Sequence, residues 1–130
     1  MGFAKITICA VPRAKAEVRY HANQQLFRAT LREAIEGFSG VEDGTRYLSR
    51  HTSTRTTHLP KLMPNYDNDG DSPYPGITEK TCWVSSGAEG KNILLVDDIY
   101  TRGVNIDEDA INALLKAAAR NVAFYAVAKV

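Results

Sequence analysis

Residues 92–105 read Asn-Ile-Leu-Leu-Val-Asp-Asp-Ile-Tyr-Thr-Arg-Gly-Val-Asn, and they indicate the class of fold more clearly than any other part of the chain. The apolar run Ile93 to Val96 predicts a strand that ends on two adjacent carboxylates, Asp97 and Asp98. A short loop with one glycine follows and leads into a helix. The carboxyl end of a parallel strand faces the crevice where α/β folds bind ligands, and a helix start offers unpaired N–H groups to an anion. We therefore expect a site for a phosphorylated sugar here.

The residues after this loop predict a helix and a last strand. Asn105 and Glu108 have the spacing of a capping box at a helix start. The apolar residues that then recur at helical spacing are Ile111, Leu114, Leu115 and Ala118. Residues 122–130 are again rich in strand-forming residues. A strand, a helix and a second strand in this order are typical of a parallel sheet.

The first half of the chain repeats this order. Residues 6–11 predict a strand that stops at Pro12, and helical periodicity begins at about Tyr20. The apolar stripe of that helix is Phe27, Leu31, Ala34, Ile35 and Phe38, and Gly37 and Gly40 mark its end. Residues 45–48 and 81–84 predict two short strands, and residues 49–76 read as a long flexible loop. We predict one α/β domain over residues 1–130, with a mostly parallel central sheet of about five strands flanked by helices.

The composition excludes several classes of protein. Among 130 residues, 44% are hydrophobic and 24% are charged, and the net charge is +1, so neither disorder nor bulk binding to nucleic acid or membrane is indicated. The only two cysteines, Cys9 and Cys82, lie far apart in strand-like runs, which favours buried thiols over a zinc site. Trp83 and Tyr125 are predicted as core residues on the same grounds. Residues 1–11 have no signal-peptide pattern, so we expect a cytoplasmic protein.

The stretch Val96 to Asn105 resembles the phosphoribosyl pyrophosphate (PRPP) signature of the type I phosphoribosyltransferases. The branch it resembles most is that of the competence protein ComF and the amidophosphoribosyltransferase-like domains. The resemblance does not extend to the N-terminal zinc finger of the ComF family. Residues 11–15 resemble the pyrophosphate loop of that branch. Residues 19–25 and 50–59 resemble its Arg-x-x-Asn-Gln segment and the Arg/Thr-rich stretch ahead of its flexible loop.

The resemblance implies a role for each matching residue. Asp97 and Asp98 would hold the ribose hydroxyls, directly or through Mg²⁺, and Lys15 would face the departing pyrophosphate. With Lys15, these acids are the candidate catalytic residues. The implied PRPP-binding residues are Asp97, Asp98, Ile99, Tyr100, Thr101, Arg102, Gly103, Val104 and Asn105 in the Asp-Asp loop, and Arg13, Ala14 and Lys15 in the pyrophosphate loop.

Three functions stay open at this point. The first is a Mg²⁺-dependent phosphoribosyltransferase that moves ribose 5-phosphate from PRPP to an unidentified acceptor and releases pyrophosphate. The second is a non-catalytic regulator that senses PRPP or nucleotides, which is favoured by Arg102 and Asn105 where the family has hydroxyl residues. The third and weakest is a ComF-like accessory protein of DNA uptake. The expected partners are small molecules, and a homodimer is common in that family.

Overall fold

The computed structural model describes residues 5–12, 26–51, 77–78, 81–101 and 105–129, and the backbone of residues 62–63 and 66–67. Within these ranges the chain forms eight strands and two α-helices. The strands are β1 Ile6–Ala10, β2 Val41–Asp43, β3 Leu48–Arg50, β4 Leu62–Met63, β5 Tyr66–Asp67, β6 Cys82–Val84, β7 Asn92–Tyr100 and β8 Asn121–Lys129. The helices are α1 Leu26–Glu36 and α2 Ile106–Lys116.

The central sheet has four strands in the order β2-β1-β7-β8, and every neighbouring pair is parallel. One row of the sheet joins Asp43, Ile8, Leu94 and Ala123. The prediction of an α/β domain with a mostly parallel sheet is therefore confirmed. The sheet has four described strands rather than about five, because β3 and β6 pair with each other and not with its edge.

The excursion between β2 and β7 contains two small antiparallel pairs. Strand β3 pairs with β6, and β4 pairs with β5. Strand β3 continues through Ser49 and Arg50, and the β4–β5 pair lies within the predicted loop over residues 49–76. The sequence predicted a strand over residues 81–84, where β6 lies, and one over residues 45–48, which meets β3 at Leu48. It did not predict that these two strands pair, and it missed the β4–β5 pair, because strands of two residues are too short to show a period. Neither described helix is long and apolar enough to cross a membrane.

Helix α2 covers β7 and β8, and α1 contacts β2. Since β2 and β8 lie on opposite sides of the β1–β7 pair, right-handed connections place the two helices on opposite faces of the sheet. The core on the α2 side unites the two predicted buried thiols with residues of β1, β3, β6, β7 and α2. Its buried members are Cys9, Val11, Leu48, Ile77, Cys82, Ala88, Ile93, Leu95, Ala110 and Leu114.

Several side chains predicted as core are exposed. Trp83 is 66% exposed and Tyr125 is 59% exposed, so both of those predictions are wrong. Trp83 lies on the short strand β6, where its ring contacts that of His51. In the predicted stripe of α1, only Ile35 is buried. The period of a sequence identifies one face of an element, but it does not show whether another element covers that face.

Gly44 allows the chain after β2 to run close to β1. Its N–H donates to the carbonyl oxygen of Ile8 at 2.8 Å. A Cβ at position 44 would lie 2.6 Å from Cγ2 of Thr7 and 3.0 Å from Sγ of Cys9, and both of those residues are fully buried. Any larger residue therefore forces this packing apart.

We expect Gly44→Ala to lower the free energy of unfolding by about 1–3 kcal/mol, the usual cost of overpacking a tight core. Urea denaturation measures the effect. Gly37→Ala is the matched control, because a Cβ there meets only a carbonyl oxygen at 3.5 Å, an ordinary contact. Equal losses in the free energy of unfolding for the two changes would show that the close contact with Thr7 does not determine the cost at position 44.

Candidate functional site

The candidate site lies where the topology of the sheet reverses direction. From β1 the chain passes through α1 to β2 on one side, and from β7 it passes through α2 to β8 on the other. Parallel sheets bind ligands outside the carboxyl ends of the two strands at such a switch point. The β1–β7 ladder ends with the pair Ala10 and Val96, and the N–H of Val11 donates to the carbonyl oxygen of Val96 at 3.0 Å. Asp97 is thus the first residue of β7 beyond that ladder.

The sequence predicted that this strand ends at the acid pair, but β7 runs past it. It continues to Tyr100, because β8 is equally long and pairs with it beyond Asp97 as far as Lys129. The acids therefore lie within a strand that has β8 on one side and no β1 residue on the other. Asp97 is half-buried and Asp98 is exposed. The N–H of Asp98 donates to Oδ1 of Asp97 at 2.8 Å, and the N–H of Ile99 donates to Oδ1 of Asp98 at 2.8 Å.

Asp97 is in an environment that disfavours its charge. Burial, which is the largest cause, and the neighbouring side chains of Asp107 and Asp98 together raise the pKa of Asp97 to about 10. At neutral pH the side chain therefore holds a proton, which it donates to Asp107 in a hydrogen bond. Two acids in such contact titrate as a pair.

Asp107 and Glu108 belong to this cluster, although sequence reasoning did not include them in the site. Asp107 is 3% exposed, and its Oδ1 has no hydrogen-bond partner. Burial raises the pKa of Asp107, and the charges of Glu108 and Asp98 raise it further. A signal was present in the sequence, since Asp107 is in phase with the buried Ala110 and Leu114 of the same helix. An acid on the buried stripe of a helix that begins beside an acid pair indicates a site.

The predicted capping box at the start of α2 is absent. Asn105 precedes the helix, but its side chain makes no capping hydrogen bond, and Oε2 of Glu108 is buried without a partner. Three acids, Asp107, Glu108 and Asp109, occupy the first turn and face the positive end of the helix dipole. Sequence spacing alone cannot show that Glu108 turns into the fold instead of back to the cap.

Half of the predicted loop residues lie outside the described part of the chain. These are Arg13, Ala14 and Lys15 of the pyrophosphate loop, and Arg102, Gly103 and Val104 of the Asp-Asp loop. Of the others, Ile99, Tyr100 and Thr101 are half-buried and Asn105 is exposed. The structure thus brings the acids, the end of β7 and the start of α2 together at one edge of the sheet.

An open cavity of about 530 Å³ lies between the end of β8 and the first turn of α2, and Glu108 is the one member of the acid cluster that lines it. The ring of Tyr100 forms one wall and packs edge-on against Phe124, with ring centroids 6.2 Å apart. Glu108 and Lys129 contribute a charge of each sign, and the remaining wall comes from residues 126–128 of β8. The cavity has the size of a small-molecule site.

The buried thiols have no part in this site. Burial, which is the largest cause, and the nearby carboxylates of Asp43 and Glu42 together raise the pKa of Cys9 to about 12. Cys82 is also buried, and the two cysteines form no disulfide. The Cys9 thiol therefore stays protonated and unreactive at neutral pH.

The donor set around Asp97 fits Mg²⁺. This hard cation takes oxygen ligands, and it often binds through one or two carboxylates plus phosphate oxygens and water. Oδ1 of Asp107 is buried without a hydrogen-bond partner, and Asp97 holds its proton because no cationic side chain in the described part of the chain lowers its pKa. No three His, Cys, Asp or Glu side chains in the described ranges form a ready-made metal cage. Asp97 and Asp98 are the residues that would hold the ion, with a ligand completing its coordination.

No family model, no curated protein and no solved structure matches this chain.

Proposed function

We propose that this protein binds PRPP together with Mg²⁺ and transfers ribose 5-phosphate to an acceptor, with release of pyrophosphate. The observation that carries the proposal is the place of the acid pair, immediately beyond the last β1–β7 pair and at the switch point of a parallel sheet. The resemblance of residues 96–105 to the PRPP signature supplies the ligand. The cavity bounded by Tyr100 and Glu108 is the proposed place for the acceptor.

Each residue of the proposed site would bind a different part of PRPP. Asp98, exposed at the crevice, would accept hydrogen bonds from the ribose hydroxyls, and Asp97 would join it after losing its proton. Thr101 and Asn105 would contribute a hydroxyl and an amide to the 5-phosphate, and Lys15 would face the pyrophosphate. Displacement at the anomeric carbon needs positioning and charge stabilisation of the leaving group, which requires no protein nucleophile. Bound Mg²⁺ would neutralise charge on the phosphate groups.

Two features support a place in the cytoplasm as part of this proposal. Both cysteines are buried thiols that form no disulfide, which suits a reducing compartment. PRPP is highly charged and does not cross a membrane unaided, so a protein that uses it is expected inside the cell.

Calorimetric titration with PRPP, with and without Mg²⁺, tests the proposal. We expect binding that is at least tenfold tighter with Mg²⁺, because the ion compensates the acids that the phosphates would otherwise meet. A coupled assay for pyrophosphate across a panel of nucleobases and amines then tests transfer. Binding without pyrophosphate release would favour the regulator that senses PRPP. If PRPP binds neither with nor without Mg²⁺, both the transferase and the PRPP-sensing regulator are excluded.

A further inference from the structure

The outer edge of β8 has the features of an interface. Strand β8 pairs with β7 on one side, and no other described strand pairs with its free side. It is nine residues long and carries one charge, on its last residue Lys129. Natural edge strands are protected from pairing by short length, inward charges, proline or bulges. Between Asn121 and Ala128, β8 has none of these protections.

The two faces of β8 differ in what covers them. Val122 and Phe124 pack against the core beneath α2. On the other face Ala123, Tyr125 and Val127 are exposed, and Val127 is 65% exposed. An apolar row on an unprotected edge is unusual for a surface that faces water alone.

The sequence of β8 is self-complementary about Tyr125. If a second copy of β8 runs antiparallel to the first with Tyr125 opposite Tyr125, then Asn121 lies opposite Lys129 and Val122 opposite Ala128. Ala123 then lies opposite Val127, and Phe124 opposite Ala126. Each large residue faces a small one, the aromatic pair lies on the axis, and polar residues meet only at the two ends. Such cross-strand pairs stabilise a sheet.

We propose that two copies of this chain associate through β8, antiparallel and centred on Tyr125, to form a continuous eight-stranded sheet. This arrangement is a twofold symmetric interface, in which the same surface serves both copies. It also keeps the two Lys129 side chains at opposite ends of the interface, about 27 Å apart along the strands at 3.4 Å per residue. The proposal does not depend on the ligand of the acid pair.

Other registers of the same pairing are less favourable. A shift of the axis to Ala126 places Lys129 opposite Ala123, and a shift to Phe124 places Asn121 opposite Val127. In both cases a polar residue faces an apolar one and a strand end is left unpaired. A parallel arrangement would put Lys129 beside its own copy, which like charges disfavour.

The helices are compatible with this sheet. Helix α2 contacts both β7 and β8 on one face. If it lies over the gap between them, the two copies of α2 would be about 10 Å apart across the axis, since strands are spaced by about 4.8 Å. That separation is at the upper end of ordinary helix packing. Asn121 of the second copy would lie beside Lys129, at the open side of the cavity.

Cysteine cross-linking tests the proposal at single-residue resolution. In the Tyr125→Cys variant the two introduced thiols would face each other across the axis, within the range for a disulfide. In the matched control, Ala123→Cys, the two thiols would lie about 14 Å apart along the strands. Both positions are exposed on the same face, and the native thiols are buried.

We expect a mild oxidant to convert Tyr125→Cys to a covalent dimer at least tenfold faster than Ala123→Cys. A mixture of Ala123→Cys with Val127→Cys is expected to cross-link, although neither does so alone. Sedimentation of the unmodified chain is expected to show a dimer whose population rises with concentration and falls in Val127→Lys. Equal rates at positions 125 and 123, or a dimer that Val127→Lys leaves intact, would overturn the proposal, as would a monomer at every concentration.

Discussion

Replacing Asp97 by Asn is expected to make the unliganded protein more stable at pH 8 while it weakens ligand binding. Asp97 holds a proton in the folded state, because burial and the neighbouring acids raise its pKa from 3.8 to about 10. The unfolded chain gives up that proton above about pH 4. Asn has the shape of the protonated acid and can donate to Asp107 in its place. We expect a gain of about 2–4 kcal/mol in the free energy of unfolding at pH 8.

The dependence on pH distinguishes this effect from a general gain in stability. Between pH 4 and pH 10 the folded protein binds a proton that the unfolded chain lacks, so the stability of the unmodified protein falls as pH rises through this window. The slope is at most about 1.4 kcal/mol per pH unit. Asp97→Asn should flatten it in urea denaturation at pH 5.5, 7 and 8.5. Glu33→Gln, which removes an exposed acid from α1, is the control and should leave the slope unchanged.

The same variant tests the site. Loss of the Asp97 carboxylate is expected to weaken PRPP binding in the presence of Mg²⁺ by at least 100-fold, and the double change with Asp98→Asn should remove it. In the unmodified protein the affinity should rise with pH below the pKa of Asp97, because bound ligand must displace the proton. A variant that is more stable but still binds PRPP would show that Asp97 is a structural acid outside the site.

Leu114→Ala is expected to lower the free energy of unfolding by about 3–4 kcal/mol, the range for truncating a fully buried leucine. Leu114 is 0% exposed on α2, where it packs in the core formed with β7 and β8. Helix α2 also carries Asp107, so unfolding of this helix would separate Asp107 from Asp97. Urea denaturation followed by far-UV circular dichroism measures the change.

The adjacent residue provides the matched control. Leu115 lies one position further along the same helix and is 46% exposed. Leu115→Ala removes the same atoms and makes the same change in helix propensity, so we expect a loss of less than about 1 kcal/mol. Similar losses at both positions would contradict the orientation of α2 described above.

Much of the architecture could be predicted from residues 92–130 alone. The apolar run before Asp97, the helical period from Ile111 and the strand-forming end of the chain define a β-α-β unit, and such a unit implies parallel pairing. Burial of Cys9 and Cys82 followed from the apolar runs around them. These features depend on local pattern, which any sequence displays directly.

The wrong predictions share a physical cause. Each concerned a feature that is set by contact with another element of the fold, which the local sequence does not show. Strand β7 extends past the acids because β8 is long enough to pair with them. Trp83 and Tyr125 are exposed because no described element covers their faces of β6 and β8. Glu108 makes no capping box, and Oε2 of its side chain is buried in the fold instead.

The amino-acid pattern alone predicts an α/β chain with an acid pair at the end of an apolar run and a helix that follows. The three-dimensional arrangement was needed to show that this pair lies at the switch point of the sheet, that Asp97 donates its proton to Asp107, and that no described strand pairs with the outer edge of β8. The reason is that periodicity records which side of an element is apolar. The protonation of an acid and the pairing of an edge depend on what the rest of the chain places against them.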